Sequence, residues 1–313
     1  MKRLIVILGP TAVGKTKLSI ELAQRLNTEI ISGDSMLIYR GFDIGTAKPT
    51  EAEKAGIPHH LIDILAPADE YTVVDFQKQA ALYIETLNHN GKIPILAGGT
   101  GLYVKALLEN YQFHEAPSDE AYRAYLTDLA AEQGNEHVLS LLAAVNPQLA
   151  SRYHPNDLRR IIRQLEIHHL QEQGITTPEK HEPTEASLCY DAIVIGLQME
   201  RSLLYARINE RVTAMLEAGW VEEVRQLLQQ GLPRECQALQ AIGYKEVIAY
   251  LDGALSYEEM VRQIQQTTRH FAKRQLTWYR KMPYIEWFDP TKQTTEHLVE
   301  KISQRIAQKF NLK

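Results

Sequence analysis

The amino-acid sequence predicts an α/β fold in which a parallel sheet is flanked by helices and carries an all-helical insertion. Two patterns lead to this fold class. Over the first hundred residues, short β-branched runs alternate with longer segments of helical spacing, as expected where helices cover a parallel sheet. From Ser118 to about Gly174 only helical spacing is seen, and a strand pattern returns at Ala192. We therefore divide the chain into a core of residues 1–117 and 186–313 and a helical insertion of residues 118–185.

Each element of the core is predicted from its own pattern. Four short apolar or β-branched runs indicate buried strands: Arg3–Leu8, Glu29–Ser32, Lys92–Ala97 and Ala192–Leu197. Helical spacing indicates helices from Lys15 to about Leu26, from Val74 to Asn88 and around Leu102–Leu108, and only helices after Leu197. His59 and His60 precede an apolar run, Leu61 to Ile64, and we expect them to pack as polar residues at the start of a strand.

The insertion is predicted from its helix-capping residues. We expect one helix capped by Ser118, one near Glu136–Val145, and one capped by Asn156 or Asp157. The segment Gly174–Glu185, which contains Pro178 and Pro183, is predicted to be a loop.

The composition excludes several classes of protein. The chain has 313 residues, of which 44% are hydrophobic and 23% charged, as in an ordinary globular protein. Its two cysteines, Cys189 and Cys236, are far apart, which argues against a disulfide framework and a cysteine zinc site and favours a reducing compartment. The apolar run Leu4 to Leu8 is too short for a signal peptide or a membrane span, so we expect a cytoplasmic protein that does not enter a membrane. A net charge of −5 lowers the expectation of nucleic-acid binding but leaves room for a local basic patch.

The clearest motif is a complete G-x-x-x-x-G-K-T phosphate-binding loop between the first strand and the first helix. Its residues are Gly9, Pro10, Thr11, Ala12, Val13, Gly14, Lys15 and Thr16. The glycines let backbone amides converge on phosphate oxygens, and the helix N-terminus adds a favourable partial charge. Lys15 supplies a cation and Thr16 a hydroxyl for Mg²⁺. The sequence therefore predicts a P-loop NTPase-like core that binds a di- or triphosphate.

One acidic residue stands out because the usual one is missing. The strand that ends in Ala97-Gly98-Gly99 lacks the terminal aspartate with which nucleoside-triphosphate hydrolases of this fold help to hold the metal. Asp34 instead follows the second strand, at the carboxyl edge of the sheet and close to the phosphate-binding loop. It is a candidate to hold metal through water or to accept a proton from an acceptor substrate. Alternatively, Asp34 is an ordinary turn residue whose carboxylate accepts hydrogen bonds from nearby backbone amides.

Two further regions are candidates for ligand contact. The cluster Gly98-Gly99-Thr100-Gly101 would allow a bulky ligand to approach, although a simple helix-opening turn explains it nearly as well. Between Val261 and Lys281 there are six lysines or arginines and no acid. On a helix, Arg262, Arg269, Lys273 and Arg280 fall within about 40° of one another, opposite Ile264, Phe271 and Trp278, which predicts a cationic side and a core side. Arg159 and Arg163, one turn apart, can bracket a phosphate.

With these motifs in place, the chain resembles the bacterial-type tRNA dimethylallyltransferase (tRNA isopentenyltransferase) family from end to end. The matching strings, in order, are G-P-T-A-V-G-K-T from Gly9, D-S-M from Asp34, Y-R-G-F-D-I-G-T-A-K-P from Tyr39, G-I-P-H-H-L-I-D from Gly56, G-G-T-G-L-Y from Gly98, A-I-G-Y-K-E from Ala241, and T-R-H-F-A-K-R-Q-L-T-W-Y-R from Thr268.

The resemblance implies transfer of a dimethylallyl group from its diphosphate to N6 of the tRNA adenosine 3′-adjacent to the anticodon, position 37. It implies that the adenine is flipped out of the loop, that Asp34 removes the N6 proton, that Thr16 contacts substrate and Mg²⁺, and that Arg201 clamps the diphosphate. The residues it assigns to contact with the tRNA anticodon stem-loop are Asp34, Ser35, Met36, Leu37, Thr100, Arg123, Arg159, Arg160, Ile161, Ile162, Arg163, Gln240, Ala241, Ile242, Gly243, Tyr244, Lys245, Lys273, Arg274, Gln275, Thr277, Trp278 and Arg280. We expect a monomer.

Two departures and three alternatives accompany this interpretation. Many relatives have Gln where this chain has Leu37, and the zinc finger of eukaryotic relatives has no counterpart here. A small-molecule kinase would use the same loop for ATP but would not need an acid-free basic helix. An enzyme that prenylates free adenine nucleotide would not need the arginine-bearing insertion. A non-catalytic RNA-binding switch would need a metal-binding aspartate at a strand end, where this chain has none.

Overall fold

The computed structural model describes residues 1–111, 118–175 and 188–312. The chain forms two compact units, the first containing residues 1–111 and 188–312 and the second residues 118–175. Among the described residues, no helix is both long and apolar enough to cross a bilayer.

The first unit is built on a six-stranded parallel sheet, which confirms the predicted fold class. Its strands are β1 (Arg3–Leu8), β2 (Ile30–Ser32), β3 (His59–His60), β4 (Ile95–Gly98), β5 (Asp191–Leu197) and β6 (Ile285–Phe288). Their spatial order is β3-β2-β4-β1-β5-β6. In this register Leu8 lies opposite Gly98 of β4 and Gly196 of β5, so the ends of the central strands meet at one edge.

Helices cover this sheet. They are α1 (Lys15–Leu26), α2 (Glu51–Lys54), α3 (Val73–His89), α4 (Gly101–Leu108), α9 (Arg201–Glu217), α10 (Trp220–Gln229), α11 (Tyr244–Leu251), α12 (Tyr257–Tyr279) and α13 (Thr295–Phe310). Their starts follow from local chemistry. Thr72 and Asp75 form a reciprocal capping box at α3, and Ser256 and Glu259 form another at α12.

The strand β1 shows how the sequence divides the core. Leu4, Val6 and Leu8 are fully buried in one apolar cluster, and Ile5 and Ile7 are buried in a second. Since alternate residues of a strand point to opposite faces, a continuous apolar run indicates a strand covered on both sides. The second cluster includes Leu22 of α1 and Ile302 of α13, and the first includes residues of α3, α4, α10 and α12.

The second unit is all helical. It contains α5 (Glu120–Gln133), α6 (Asn135–Val145), α7 (Pro147–Ala150) and α8 (Leu158–Glu172), which pack around Leu126, Val138, Leu142, Ile161 and Leu165.

Most predicted elements are confirmed to within one or two residues, and four details differ. The region after Leu197 contains the edge strand β6 as well as helices. The third predicted strand begins at Ile95 instead of Lys92. The two histidines themselves form β3, which stops because Leu61 takes a left-handed φ of 62°. Asp119, rather than Ser118, caps α5. The predicted loop Gly174–Glu185 lies mostly outside the described residues.

Candidate active site

The phosphate-binding loop connects β1 to α1 through a tight backbone path. Gly14 has a φ of 104° at the position before α1, where L side chains are strained. A Cβ at Gly9 would come within 2.8 Å of both the Leu197 carbonyl oxygen and Val13 Cγ1. The Val13 side chain is itself fully buried in the core, so it anchors the middle of the loop. The loop conformation therefore needs glycine at two positions and an apolar anchor between them.

Lys15 lies inside this loop. Its ammonium donates to the carbonyl oxygens of Gly9 and Pro10, each at 2.9 Å. Burial lowers the pKa of Lys15 to about 8; the negative charge of Asp34 opposes this shift and the positive charge of Arg211 adds to it. A half-buried cation that donates its hydrogen bonds to neutral carbonyls is poorly compensated, so it is suited to receive an anion.

Two buried side chains of α12 brace the loop. The backbone N–H of Thr11 donates to Gln275 Oε1 at 2.9 Å, and Gln275 Nε2 donates to the Gly99 carbonyl oxygen at 2.9 Å. The Tyr279 hydroxyl donates to the same Gly99 oxygen at 2.9 Å and lies 3.3 Å from the Gly9 oxygen. These bonds tie the phosphate-binding loop to the turn after β4. Gln275 was assigned to tRNA contact, but its side chain is only 4% exposed and its hydrogen bonds go to these two loops.

Asp34 lies at the end of β2, next to that turn. The Gly33 N–H donates to the Ala97 carbonyl oxygen at 2.8 Å, and a Cβ at Gly98 would lie 2.3 Å from the Gly33 oxygen, so only glycine allows these backbones to approach. Asp34 Oδ1 accepts from the Met36 N–H at 2.9 Å, the local turn foreseen as its alternative role. Among the described residues, none donates a hydrogen bond to Oδ2, so this oxygen is available to a ligand.

The loop and Asp34 open into a single cavity of about 520 Å³ in the first unit. Its polar wall contains Thr11, Lys15, Thr16, Asp34 and Thr100. The remaining wall is largely apolar and includes Met36, Leu37, Ile208, Val212, Met215 and Trp278. A cavity with phosphate-binding groups, a free carboxylate oxygen and apolar walls can hold an amphiphilic diphosphate together with a planar acceptor.

Arg211, on α9, is a residue of this cavity that the sequence analysis missed. Its guanidinium Nη1 lies 3.5 Å from Thr11 Oγ1, beside the phosphate-binding loop. Burial lowers its pKa below the ordinary arginine value, with Asp34 opposing, yet an arginine stays charged at neutral pH. Arg201, the predicted diphosphate clamp, is not among the residues lining this cavity; it lines a second one.

A separate wall is formed by the segment Gln240–Lys245. Gln240, Ala241 and Ile242 line the cavity. Gly243 has a φ of 91° and lies so close to buried Trp220 that a Cβ would come within 2.0 Å of its ring. Tyr244 is fully buried and donates to Glu223 at 2.7 Å, so contact with a large ligand is open to exposed Lys245 but not to the Tyr244 side chain.

The cationic helix divides its residues between the two cavities. Arg274 and Trp278 line the first, as does Phe271, so Phe271 and Trp278 face a cavity where we had predicted core. Lys273, Thr277 and Arg280 line the second cavity with Arg201.

In the second unit, the arginines fall into two groups. Arg123 and Arg163 form ion pairs with Glu166, whose side chain is fully buried. Burial alone would raise the pKa of Glu166, but hydrogen bonds from Arg163, the Asp119 N–H and Arg123 outweigh it and hold the pKa below its usual value. Arg163 thus forms an ion pair inside the unit, whereas we had predicted that it would bracket a phosphate together with Arg159.

The other insertion residues assigned to tRNA split by burial. Ile161 and Ile162 pack in the core of the unit. Arg159 and Arg160 are exposed, so both are open to contact with a ligand.

Comparison with known proteins gives one consistent family. The family model described as IPP transferase matches residues 37–282. A tRNA dimethylallyltransferase of Geobacillus thermodenitrificans is 50% identical over 312 residues, covering 99% of this chain and 98% of that protein. A tRNA isopentenylpyrophosphate transferase structure from Bacillus halodurans is 43% identical, with a TM-score of 0.75 and coverage of 99% and 97%. A eukaryotic dimethylallyltransferase, described as acting on tRNA, is 30% identical with a TM-score of 0.74, covering 98% of this chain and 78% of that one.

Proposed function

Because the chain belongs to the tRNA dimethylallyltransferase family, it is a prenyltransferase that modifies tRNA, and we propose that the cavity next to the phosphate-binding loop is its reaction site. The donor is dimethylallyl diphosphate, and the acceptor is N6 of the adenosine 3′-adjacent to the anticodon, position 37. The observation that carries this assignment is the meeting of Lys15, Arg211 and the free oxygen of Asp34 on the wall of one partly apolar cavity.

The chemistry explains why these groups are needed. The N6 amine of adenine is a poor nucleophile because its lone pair is delocalised into the ring. The allylic C–O bond of the donor compensates, since its breaking leaves a resonance-stabilised carbon and places the electron pair on diphosphate. The demanding task is therefore to stabilise negative charge growing on the leaving group. The loop amides, Lys15 and Arg211 are preorganised to do so.

Asp34 completes the reaction. As N6 bonds to the allylic carbon, the amine must lose a proton, and Asp34 Oδ2 takes it. Because Oδ1 is held by the Met36 N–H, the carboxylate is fixed in one orientation while its other oxygen remains open to the cavity. Such a positioned base contributes about 10²–10⁴-fold to the rate.

The oxygen donors around the loop also fit Mg²⁺. Thr16 and Asp34 line the same cavity, and Thr16 is exposed at the start of α1. Mg²⁺ prefers a few protein oxygens and keeps several waters, so a hydroxyl with a carboxylate acting through water is a suitable set. When bound, the metal would add positive charge next to the leaving diphosphate.

The acceptor would be held by the surfaces that line and surround the cavity. Extruding the adenine costs a few kcal/mol, less in a loop than in a duplex. The cations of α12 and the exposed Arg159 and Arg160 would offset this cost through phosphate contacts, so tRNA binding should weaken as salt rises.

Two experiments test this proposal: one identifies the acceptor, and the other tests the role of Asp34. Purified protein is incubated with Mg²⁺, radiolabelled dimethylallyl diphosphate and unmodified tRNA bearing adenosine at position 37, with AMP and ATP as competing acceptors. We expect label in tRNA alone. Label in AMP would instead establish a free-nucleotide enzyme, and transfer to tRNA lacking that adenosine would refute the assigned position.

The variant Asp34→Asn keeps the size of the side chain and should lower single-turnover transfer about 10²–10⁴-fold, with tRNA affinity close to wild type. Glu217→Gln, an exposed acid on α9, is the matched control. Transfer by Asp34→Asn at the control rate would remove Asp34 from the mechanism.

A further inference from the structure

Glu223, on α10, accepts hydrogen bonds from a turn in the segment between β2 and α2. Its Oε2 accepts from the backbone N–H groups of Asp43 and Ile44, at 2.9 and 2.6 Å, and its Oε1 accepts from the N–H of Gly45 at 3.1 Å. Successive N–H groups that converge in a turn form an anion-binding concavity, and hydrogen bonds to a carboxylate are about twice as strong as those between neutral groups. Glu223 fills this concavity and thereby holds the 43–45 turn against α10.

The same carboxylate also binds α11. The hydroxyl of Tyr244, the first residue of α11, donates to Glu223 Oε1 at 2.7 Å. Burial raises the pKa of Tyr244 and the negative charge of Glu223 raises it further, so the hydroxyl remains a donor near neutral pH. Each oxygen of Glu223 therefore accepts two hydrogen bonds, and the carboxylate joins α10 to both the turn and α11.

The turn is packed closely against the aromatic residues of these helices. A Cβ at Gly45 would come within 2.0 Å of Trp220 Nε1 and 2.6 Å of the Tyr244 ring. Trp220 and Glu223 are three residues apart on α10 and so lie on the same face of that helix. Packing against the indole prevents the turn from moving towards α10, and the hydrogen bonds to Glu223 oppose its movement away.

The base of the same segment is held separately, by Lys48. Its side chain is only 5% exposed, and its ammonium donates to the Tyr39 carbonyl oxygen at 2.9 Å and to the carboxylates of Asp43 and Asp63. These contacts do not involve Glu223. Loss of the Glu223 carboxylate should therefore free the tip of the turn while the base of the segment stays in place.

The turn matters because it leads into a wall of the reaction cavity. Residues 45–47 line that cavity, as do Trp220 and residues 240–242, which precede α11. Glu223 is not among the lining residues. Its four hydrogen bonds thus fix, from outside the cavity, the distance between the wall formed by residues 45–47 and the wall formed by α10 and the start of α11.

We propose that Glu223 is a positioning residue for the transfer reaction, which acts by fixing the 43–45 turn and through it the cavity wall of residues 45–47, without touching either substrate. The inference rests on the proposed function for the identity of the reaction. A wall that is fixed before the substrates bind helps to hold the reacting atoms in the geometry of attack. A misplacement of about 1 Å can lower a rate about 10²-fold, even when the altered residue is far from the reacting atoms.

The variant Glu223→Gln tests this role because it changes the acceptors and leaves the size of the side chain almost unchanged. An amide nitrogen is a donor, and in either orientation of the amide it would face at least one backbone N–H of the turn. The turn should therefore be released although no volume is lost. Glu222→Gln is the matched control, since Glu222 is the exposed neighbour on α10 and pairs with Arg225.

Three quantities are measured for each variant: single-turnover transfer from dimethylallyl diphosphate to unmodified tRNA at saturating substrates, the affinity for inorganic diphosphate, and the midpoint of denaturant unfolding. Folded Glu223→Gln should transfer about 10- to 100-fold more slowly than wild type. Its affinity for diphosphate should be that of wild type, because Gln275 and Tyr279 brace the phosphate-binding loop independently of Glu223. The control should match wild type in transfer and in diphosphate affinity.

A residue that only stabilises the fold would lower the unfolding midpoint and leave the transfer rate of the folded protein unchanged. Transfer by Glu223→Gln at the control rate would therefore overturn the proposal, whatever the change in midpoint. A loss of diphosphate affinity as large as the loss of rate would also overturn it, because the whole cavity would then be disturbed.

Glu223→Ala is the second variant, because it removes both acceptor oxygens and lets water reach the N–H groups of the turn. It should transfer about as slowly as Glu223→Gln. Failure of both variants to fold would assign Glu223 to stability alone and overturn the positioning role. Label transfer by wild type is measured in parallel: active wild type with these negative results would reject only the role of Glu223, whereas inactive wild type would reject the proposed function itself.

Discussion

Raising the pH from 7 to 9 should weaken diphosphate binding in the phosphate-binding loop, because the pKa of the half-buried loop lysine lies within this range. Burial lowers the pKa of Lys15 to about 8, and its ammonium donates to the uncharged carbonyl oxygens of Gly9 and Pro10. Within this pH range Lys15 passes from mostly charged to mostly neutral. A neutral amine cannot compensate the charge of a diphosphate, so the affinity should follow the protonated fraction.

The size of the effect follows from that pKa. With a pKa of about 8, the protonated fraction is about ten-elevenths at pH 7 and about one-eleventh at pH 9. If only the protonated enzyme binds, affinity should fall about tenfold over this interval, which is about 1.4 kcal/mol. Bound diphosphate will in turn raise the pKa of Lys15, so binding at pH 8 should take up a fraction of a proton.

The assay is titration calorimetry with inorganic diphosphate and Mg²⁺ at pH 7, 8 and 9 and constant ionic strength, in two buffers of different ionisation enthalpy. Lys15→Arg keeps its charge throughout and should bind with nearly constant affinity, which also controls for ionisation of the ligand. Lys17→Arg, at an exposed position two residues away, should behave as wild type. Constant affinity of wild type, or an equal fall in Lys15→Arg, would refute the assignment of the pH dependence to Lys15.

The lowered pKa of Lys15 also predicts how the stability of the ligand-free protein depends on pH. Because the folded pKa of Lys15 lies below its unfolded value of 10.5, the unfolded chain binds more protons between about pH 8 and 10.5. The free energy of unfolding should therefore increase as the pH rises through that window. The variant Lys15→Met should lack this increase. Denaturant unfolding without ligand measures it.

Three further substitutions test the scaffold by denaturant unfolding. Tyr279→Phe removes the hydroxyl bonded to Gly99 and should cost about 1 kcal/mol and raise the KM for donor, whereas exposed Tyr257→Phe on the same helix should do neither. Gly45→Ala places a Cβ 2.0 Å from the buried Trp220 ring nitrogen and should cost about 3 kcal/mol, the upper range for overpacking; an unchanged midpoint would show that the ring can move. Glu166→Gln should lower the free energy of unfolding by about 3 kcal/mol. In wild type, the stabilisation by ionised Glu166 is complete above pH 4.5 and should be lost as the pH falls through the lowered pKa of this residue. Acid unfolding of the variant identical to that of wild type would contradict this.

The features that the sequence predicts well are those encoded over short distances. The continuous apolar run of β1, the glycines of the phosphate-binding loop and the position of Asp34 after β2 all depend on residues within about ten positions of one another. Strand β6 was missed although its signal is present, since Ile285 to Phe288 is an apolar-rich run bounded by Pro283 and Pro290.

The features that were missed depend on tertiary contacts. Arg211 lies in the middle of an ordinary amphipathic helix, and only the packing of α9 beside the loop brings it near Thr11. Periodicity also identified Phe271 and Trp278 as the apolar side of α12, but it cannot distinguish a core from an apolar cavity. The partner of Arg163 was visible in the sequence as Glu166, three residues later, a spacing typical of an ion pair on a helix.

The helical period explains how one segment of α12 serves three surfaces at once. Gln275 and Tyr279, one turn apart, point to the two glycine loops and hold them together. Phe271 and Trp278 lie to one side of that direction and face the reaction cavity, while Lys273 points the other way, into the second cavity. A shift of α12 along its axis would therefore alter the phosphate-binding loop, the reaction cavity and the second cavity together, because the same rigid helix carries all three sets of contacts.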